Sequence, residues 1–417
     1  MAETGPAPAQ AGPIREQSGQ SRGDLAAPDS ARSAPQAPPR PKDSRPAYRG
    51  EGGFLLLDKP PGISSFQALR PVKRAFPKAK VGHAGTLDPA ASGLLIAGVA
   101  SGTRLLEYLE GLPKTYAFTA HFGFVSDTYD REGEVKPHPG GDAAAALTAE
   151  RIAAALAPFR GRIRQVPPAY SAVKVDGERA YALARAGEAV VLQPREVEVA
   201  SLELRAFRGP AAAQGTEAAS LSGSPGAERG EASPARAPGG PAADPEAAPR
   251  ADFVMTCSKG TYVRSLVHDL GMALGCGAVT GSLRRLAIGP FRVEAASPPG
   301  GPGANPALLP LESAVSALPA VIVPADREAR FLNGQTVTVE IPPDREDRIP
   351  DGRAVTGELP GRPDAGGALP AGGIEVRAHA AGGRLLAIAT LSPGGRCSPR
   401  KVLARAEAPA PENGAAS

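Results

Sequence analysis

The chain has 417 residues, a net charge of +4, 42% hydrophobic side chains and three cysteines, and Gly and Pro together make up about 23% of it. No G-X-Y period runs through it, three cysteines cannot staple so long a chain, and no apolar run approaches the roughly 20 residues of a membrane span, so collagen, disulfide scaffolds and membrane-spanning proteins are excluded. The positive charge permits an anionic partner without demanding one.

In chain order, residues 1–50 hold Met1, Ile14, Leu25 and Tyr48 as their only large apolar or aromatic side chains. That is too little to offset ordering entropy and predicts a disordered arm. The start lacks an apolar h-region and carries Glu3, Glu16, Asp24 and Asp29, features of a cytoplasmic protein with reduced thiols rather than a secreted or organelle-targeted one. Gly53–Leu57 reads as a strand stopped by the turn signal Asp58-Lys59-Pro60-Pro61-Gly62. Ser64 or Ser65 caps a helix running to Lys73/Arg74, with Pro71 as a kink. Gly82–Pro89 reads as a loop, Gly93–Val99 as an apolar strand or helix, and Thr115–Gly123 as a strand by its alternation. Thr148 caps a helix reaching Phe159, and Glu178–Ala186 predicts another that ends near Gly187. Thr261–Leu274 predicts a third, with Leu266, Leu270 and Leu274 on one face and Gly275 at its end.

Residues 209–250 contain Leu221 as their single large apolar side chain and lie between two strand-like runs, Val197–Phe207 and Asp252–Cys257. They predict a disordered insertion at a hairpin tip. The Pro/Gly-rich stretch near 295–310 predicts a linker. Beyond it, Ala320–Val323, Gln335–Glu340, Gly373–Ala378 and Arg384–Leu391 are short β-like runs of a small module, interrupted by the weakly patterned stretch 343–373. Residues 408–417 are a polar tail. The expected class is α+β, a mixed sheet flanked by helices plus a small β-rich C-terminal domain. The expected division is an arm at 1–50, a large catalytic domain at 51–295 with the 209–250 insertion, a linker at 296–312, a second domain at 313–407 and the tail.

Four stretches could carry chemistry. In Gly82-His83-Ala84-Gly85-Thr86-Leu87-Asp88-Pro89, a Gly-punctuated loop presents one carboxylate, and Pro89 holds Asp88 in an extended backbone. Upstream, Lys59, Arg70, Lys73, Arg74, Lys78 and Lys80 occur with no acidic residue before Asp88. A lone acid behind a cationic flank fits a reactive carboxylate on a phosphate-binding surface. The same residues also fit a plain turn with a solvated Asp beside a solvated basic helix. Lys114-Thr115-Tyr116 opens a strand whose Tyr116 could stack on a base or simply fill the core. Val166-Pro167-Pro168-Ala169-Tyr170-Ser171 is a rigid binding loop or a connector. Cys257-Ser258-Lys259-Gly260-Thr261-Tyr262-Val263-Arg264 places Tyr262 and Arg264 at the mouth of a helix, where Arg264 could grip a buried carboxylate or lie on the surface. No C-x-x-C pair, H-x₃-H spacing, Walker A or strand-to-helix G-x-G-x-x-G occurs, so neither a metal nor a nucleotide cofactor is expected.

Taken together, these blocks resemble the bacterial tRNA pseudouridine synthase B family. The matching text is LLLDKP at 55–60 with Gly62 and Ser64-Ser65, GHAGTLDP at 82–89, ASG at 91–93, and KTY at 114–116. VPPAYSAVKVDG at 166–177, CSKGTYVRSLVHDLG at 257–271 and LRRL at 283–286 complete it. Ala84, where the family commonly has Thr, and Pro71 depart from the pattern. The C-terminal module resembles, more faintly, the family's PUA-type RNA-binding domain through Asn333-Gly334-Gln335 and Pro399-Arg400-Lys401-Val402.

The resemblance implies isomerisation of the T-loop uridine of tRNA, conventionally position 55, to pseudouridine without cofactor or metal. Asp88 would be the catalytic aspartate; whether it attacks the sugar or base, or first removes a ribose proton, stays open. Tyr116 would stack on the flipped uracil and assist proton transfer at C5, and Arg264 would pair with Asp88. Tyr262 and Leu283 would line the base pocket, Lys59 would support its wall, and His83 would fill the space the uridine vacates. The partner would be the tRNA T-arm, with no guide RNA and no membrane, and the enzyme would act as a monomer. Two other readings are a tRNA-folding chaperone on the same scaffold and the related catalytic subunit of guide-RNA particles. Intact Asp88, Tyr116 and Arg264 favour an enzyme, and the bacterial-type blocks without a Lys-rich tail disfavour the second.

Overall fold

The computed structural model describes residues 47–48, 50–171, 173–175, 177–188, 190–210, 247–300, 307–339 and 372–404. All belong to the contact unit Arg45–Ser417. The expected arm up to residue 46, the interior of the insertion at 211–246, the 343–371 stretch and the tail at 408–417 lie outside the described residues.

The first strand, β1 (Gly52–Lys59), runs through Asp58 and Lys59, which the sequence assigns to a turn; backbone pairing of both residues with the next long strand extends it. Two short helices follow instead of one, α1 (Ser65–Ala68) and α2 (Arg70–Ala75). Ser64 caps α1 in a reciprocal box with Gln67, and Pro71 sits in the first turn of α2, the place in a helix that tolerates it. β2 (Val81–Ala84) corrects the loop expected there: only Gly85 to Ala91 is loop, because Val81–Ala84 pairs with β3 (Ser92–Ala100). α3 (Leu106–Gly111), β4 (Lys114–Phe122), β5 (Phe124–Ser126) and β6 (Val135–Pro137) come next. α4 (Ala149–Ala155) is capped by Thr148 as expected, and a 3-10 turn, Ala157–Phe159, continues it.

β7 (Gly161–Gln165), β8 (Lys174–Val175) and β9 (Glu178–Arg179) lead into α5 (Ala180–Arg185), so Glu178 and Arg179 open with a strand rather than a helix. β10 (Arg195–Arg208) and β11 (Arg250–Cys257) are antiparallel neighbours that bracket the insertion. α6 (Val263–Ala273), β12 (Ala278–Ile288) and β13 (Phe291–Arg292) close the larger sheet. The smaller module holds β14 (Ala320–Val323), α7 (Ala325–Leu332), β15 (Val337–Thr338), β16 (Ile374–Ala380), β17 (Leu385–Ser392) and β18 (Arg396–Val402).

The larger sheet has nine strands, ordered β1-β3-β12-β4-β11-β10-β7, with β2 on β3 and β13 on β12. β12 is its pivot, antiparallel to β4 and parallel to β3. That insertion needs Gly93: a Cβ there would lie 2.2 Å from the Arg285 carbonyl oxygen, and its φ of +101° suits glycine. α4 and α6 cover one face through Ile152, Leu266, Val267 and Leu270, packed on Phe118, Phe253 and Met255. α1 and α2 close the β1–β3 end through Leu69, Val72 and Phe76. The module is a five-stranded sheet, β14-β16-β17-β18-β15. Its Leu385, Ile388 and Leu403 join the cluster of Leu105 and Leu109. Tyr108 donates to Glu375 at 2.6 Å, Ser101 to the Leu403 carbonyl at 3.2 Å, and Lys401 pairs with Glu107. Among the described residues, no helix is long and apolar enough to cross a membrane.

Candidate active site

The site grows from the centre of the larger sheet. The loop between β2 and β3 carries Asp88 and is fastened at three points. Ser65 clamps Leu87, its hydroxyl donating to the Leu87 carbonyl at 3.1 Å and accepting from the Leu87 N–H at 2.9 Å. The Gly62 N–H donates to the Pro89 carbonyl at 2.8 Å. Lys59, fully buried, donates to the carbonyls of Ile63 at 2.6 Å, Pro60 at 3.0 Å and Pro89 at 3.1 Å. Lys59 therefore ties the end of β1 to the loop beneath Asp88. Burial lowers its pKa to about 8, opposed by the nearby Asp88 and Glu132 carboxylates.

Arg264 stands in the first turn of α6 with its side chain 6% exposed, against 39% for Asp88. Its Nε lies 3.0 Å from Asp88 Oδ2. Nη1 donates to the Thr128 carbonyl at 2.8 Å and lies 3.3 Å from Asp130 Oδ2, while Nη2 donates to the Tyr170 carbonyl at 2.9 Å. Every guanidinium nitrogen is thus engaged, so the group is locked in orientation while the carboxylate it holds stays open to solvent. The Asp88–Arg264 pair expected from the resemblance is present. Asp130 is a partner that motif reading passed over. Its Oδ1 accepts from Thr128 Oγ1 at 2.6 Å and from the Glu132 N–H at 2.9 Å, which builds the turn that presents Oδ2 to Arg264.

Tyr262 precedes α6 and is fixed through its backbone. Its N–H donates to Gln165 Oε1 at 2.8 Å and its carbonyl accepts from Gln165 Nε2 at 3.0 Å. Tyr116 lies on β4 opposite Arg285 of β12 and Met255 of β11. Burial pushes its phenol up from the ordinary tyrosine value, with Arg285 opposing the rise and Cys257 and Asp88 adding to it. Leu283, on β12 opposite Phe118, is partly buried against the same core. His83 lies on β2 opposite Ala97, and its Nδ1 is enclosed without a protein partner. Burial first, and Arg285 second, lower its pKa, which favours the neutral ring. Sequence reasoning also missed Arg285, a fully buried guanidinium, and the Arg284–Asp58 fork at 2.9 and 2.8 Å that ties β12 to β1.

The basic flank lies where an extended anion could reach it. Arg70, Lys73, Arg74, Lys78 and Lys80 are all exposed, and Lys73 Nζ sits 4.2 Å from the ring centre of the exposed Phe66. Among the described residues, no cluster of three or more His, Cys, Asp or Glu side chains could hold a metal ion. All three cysteines are buried free thiols.

Two family models match the chain. Residues 73–221 fit the TruB family pseudouridylate synthase N-terminal domain, and residues 264–297 fit the tRNA pseudouridylate synthase B C-terminal domain. A tRNA pseudouridine synthase B of Chromohalobacter salexigens is 37% identical over 294 residues, covering 69% of this chain and 82% of that protein. The chain belongs to the tRNA pseudouridine synthase B family. An Aquifex aeolicus member is 39% identical over 244 residues, covering 58% of this chain and 71% of its own length. The fold is also shared with the chains of solved structures titled as a Cbf5-Nop10-Gar1 complex (TM-score 0.51, 21% identity, 84% of this chain and 85% of that one) and an H/ACA RNP bound to a substrate RNA (TM-score 0.51, 19% identity, 85% and 86%). Within the TruB family blocks of this chain, the matched segments carry Asp88, Tyr116 and Arg264.

Proposed function

We propose that this chain converts the uridine at position 55 in the T-loop of tRNA to pseudouridine, with Asp88 as the carboxylate acting on the extruded nucleotide. Membership of a family of tRNA pseudouridine synthases makes the chain an isomerase of that class. The observation that carries the residue assignment is the Asp88–Arg264 pair at 3.0 Å, where a buried, fully engaged guanidinium aims a carboxylate that remains accessible. The reaction breaks the N1–C1′ bond, turns the uracil and forms C5–C1′, and the C5 proton leaves to solvent as N1 takes one up. No electrons are gained or lost.

Reaching the reacting atoms requires base extrusion, at a cost of a few kcal/mol. Stacking of the uracil on Tyr116 recovers roughly 1–3 kcal/mol. Tyr262 and Leu283 flank the base, and His83, with its favoured neutral ring and unpartnered Nδ1, takes the space left in the tRNA stack. The exposed basic residues between 70 and 80 track the phosphates by shape and charge. The β-rich module at 313–407 acts as a PUA-like RNA-binding domain beside the catalytic domain at 51–295, joined by the 296–312 linker. The enzyme works in the cytoplasm as a monomer on the T-arm, without guide RNA. Purified protein incubated with unmodified tRNA transcript alone is expected to give one pseudouridine, at position 55, by chemical mapping. No product without an added protein or RNA would overturn the stand-alone reading, and product elsewhere would overturn the position.

A further inference from the structure

Arg285 is among the largest fully buried side chains of the protein, 1% exposed at the centre of the nine-stranded sheet. A guanidinium in such a place is costly unless its N–H groups are used. Nε donates to the Leu94 carbonyl of β3 at 2.7 Å, and Nη2 donates to the carbonyl of Gly85, the first residue of the Asp88 loop, at 3.0 Å. Tyr116 stands directly opposite Arg285 across the β4–β12 pair. A Cβ on Gly85 would stand 3.4 Å from Nη1, and Gly93 lets the Arg285 backbone seat against β3. One side chain therefore ties the strand behind the loop to the loop bearing Asp88, from the position directly opposite the residue on which the base would stack. A buried Arg that served only to glue β3 to β12 would have no need of the Gly85 carbonyl in the Asp88 loop.

We propose that Arg285 is a positioning residue for the isomerisation, holding the Tyr116 ring and the Gly85 end of the Asp88 loop in one register so that stacking surface and carboxylate meet the same extruded uracil. The proposal rests on the roles given above to Tyr116 and Asp88. It places the function of Arg285 in the reaction step and not in tRNA affinity, because Arg285 is enclosed and touches no surface that RNA could reach. Lys is the informative replacement: it keeps the charge and one or two donors but cannot span Leu94 and Gly85 together.

The test compares full-length wild type, Arg285→Lys and Tyr116→Phe, with two readouts. The first is single-turnover conversion of unmodified tRNA together with the Kd for that tRNA. The second uses no RNA: protein labelled with [13Cζ]-tyrosine is studied by NMR, and the resonance missing from Tyr116→Phe is assigned to Tyr116. The expected result is an Arg285→Lys protein that converts tRNA at least tenfold more slowly, binds it within twofold of wild type, and shows a displaced Tyr116 resonance. A rate within twofold of wild type, or an unmoved Tyr116 resonance, overturns the proposal. If Arg285→Lys does not fold, Arg285→Gln decides in the same two assays, because it removes the guanidinium donors without altering Tyr116. A slow enzyme with unchanged tRNA affinity supports the proposal, and a wild-type rate overturns it. Failure of the underlying reading looks different, since wild type would then form no pseudouridine while the Tyr116 resonance still responded to Arg285→Lys.

Discussion

Asp130→Asn isolates the buried half of the Arg264 clamp. The substitution is nearly isosteric, and Asn can keep the Oδ1 acceptor used by Thr128 at 2.6 Å and by the Glu132 N–H at 2.9 Å. What changes is the atom facing Arg264. The carboxylate oxygen 3.3 Å from Nη1 becomes an amide donor pointed at another donor. The Asp130 side chain is 9% exposed, so water offers little relief. Removing one partner of a buried pair costs about 3–5 kcal/mol when the remaining charge is uncompensated. Arg264 keeps Asp88 and two carbonyls, which brings the expected cost to about 2–3 kcal/mol. If that cost falls on the aim of Arg264 and hence of Asp88, the rate falls about 30–140-fold, since each 1.4 kcal/mol is a factor of ten. The assay is single-turnover release of tritium from tRNA carrying [5-3H]uridine, alongside urea denaturation. A variant within twofold of wild type in rate and within about 0.5 kcal/mol in stability would refute the view that Asp130 and Asp88 share one guanidinium.

Other expectations follow from the same geometry. Gly93→Ala places a Cβ 2.2 Å from the Arg285 carbonyl oxygen at a φ of +101°, and strain plus overlap should cost about 3 kcal/mol or more, read from the urea midpoint. Lys59 and Lys114, each lowered to about 8 by burial, bind protons less readily folded than unfolded. Stability should therefore rise with pH between about 8 and 10, and Lys59→Met should flatten that slope; a slope unchanged by the substitution would contradict the assignment. Because Arg208 and Arg250 already pair across the hairpin, replacing residues 211–246 with a short turn should leave tRNA conversion within twofold. A larger loss would place that segment in RNA binding.

Much of the candidate site was legible because its residues lie in short words. GHAGTLDP gave Asp88, KTY gave Tyr116 and GTYVRS gave Arg264. The structure puts Asp88 and Arg264 in contact and sets Tyr116 opposite Arg285 on the neighbouring strand. Arg285 was not legible, because its partner Gly85 lies 200 residues away and no local pattern distinguishes it from its exposed-looking neighbour Arg284. Asp130 sits in Ser-Asp-Thr-Tyr-Asp, where a turn explains every residue without invoking a guanidinium. The glycines of Gly82–Gly85 suggest a turn, whereas pairing with β3 makes β2 a strand. In the C-terminal module, α7 is one short amphipathic helix and β18 contains Pro399, so neither carried a strong periodic signal.

We propose that Asp88 performs the isomerisation from a fixed position while tRNA is held elsewhere. The most direct test is Asp88→Asn in the single-turnover assay on unmodified tRNA, with the Kd measured on the same preparation. Pseudouridine at position 55 is expected from wild type, none detectable from Asp88→Asn, and tRNA affinity within about threefold of wild type. Substantial pseudouridine from Asp88→Asn would contradict it.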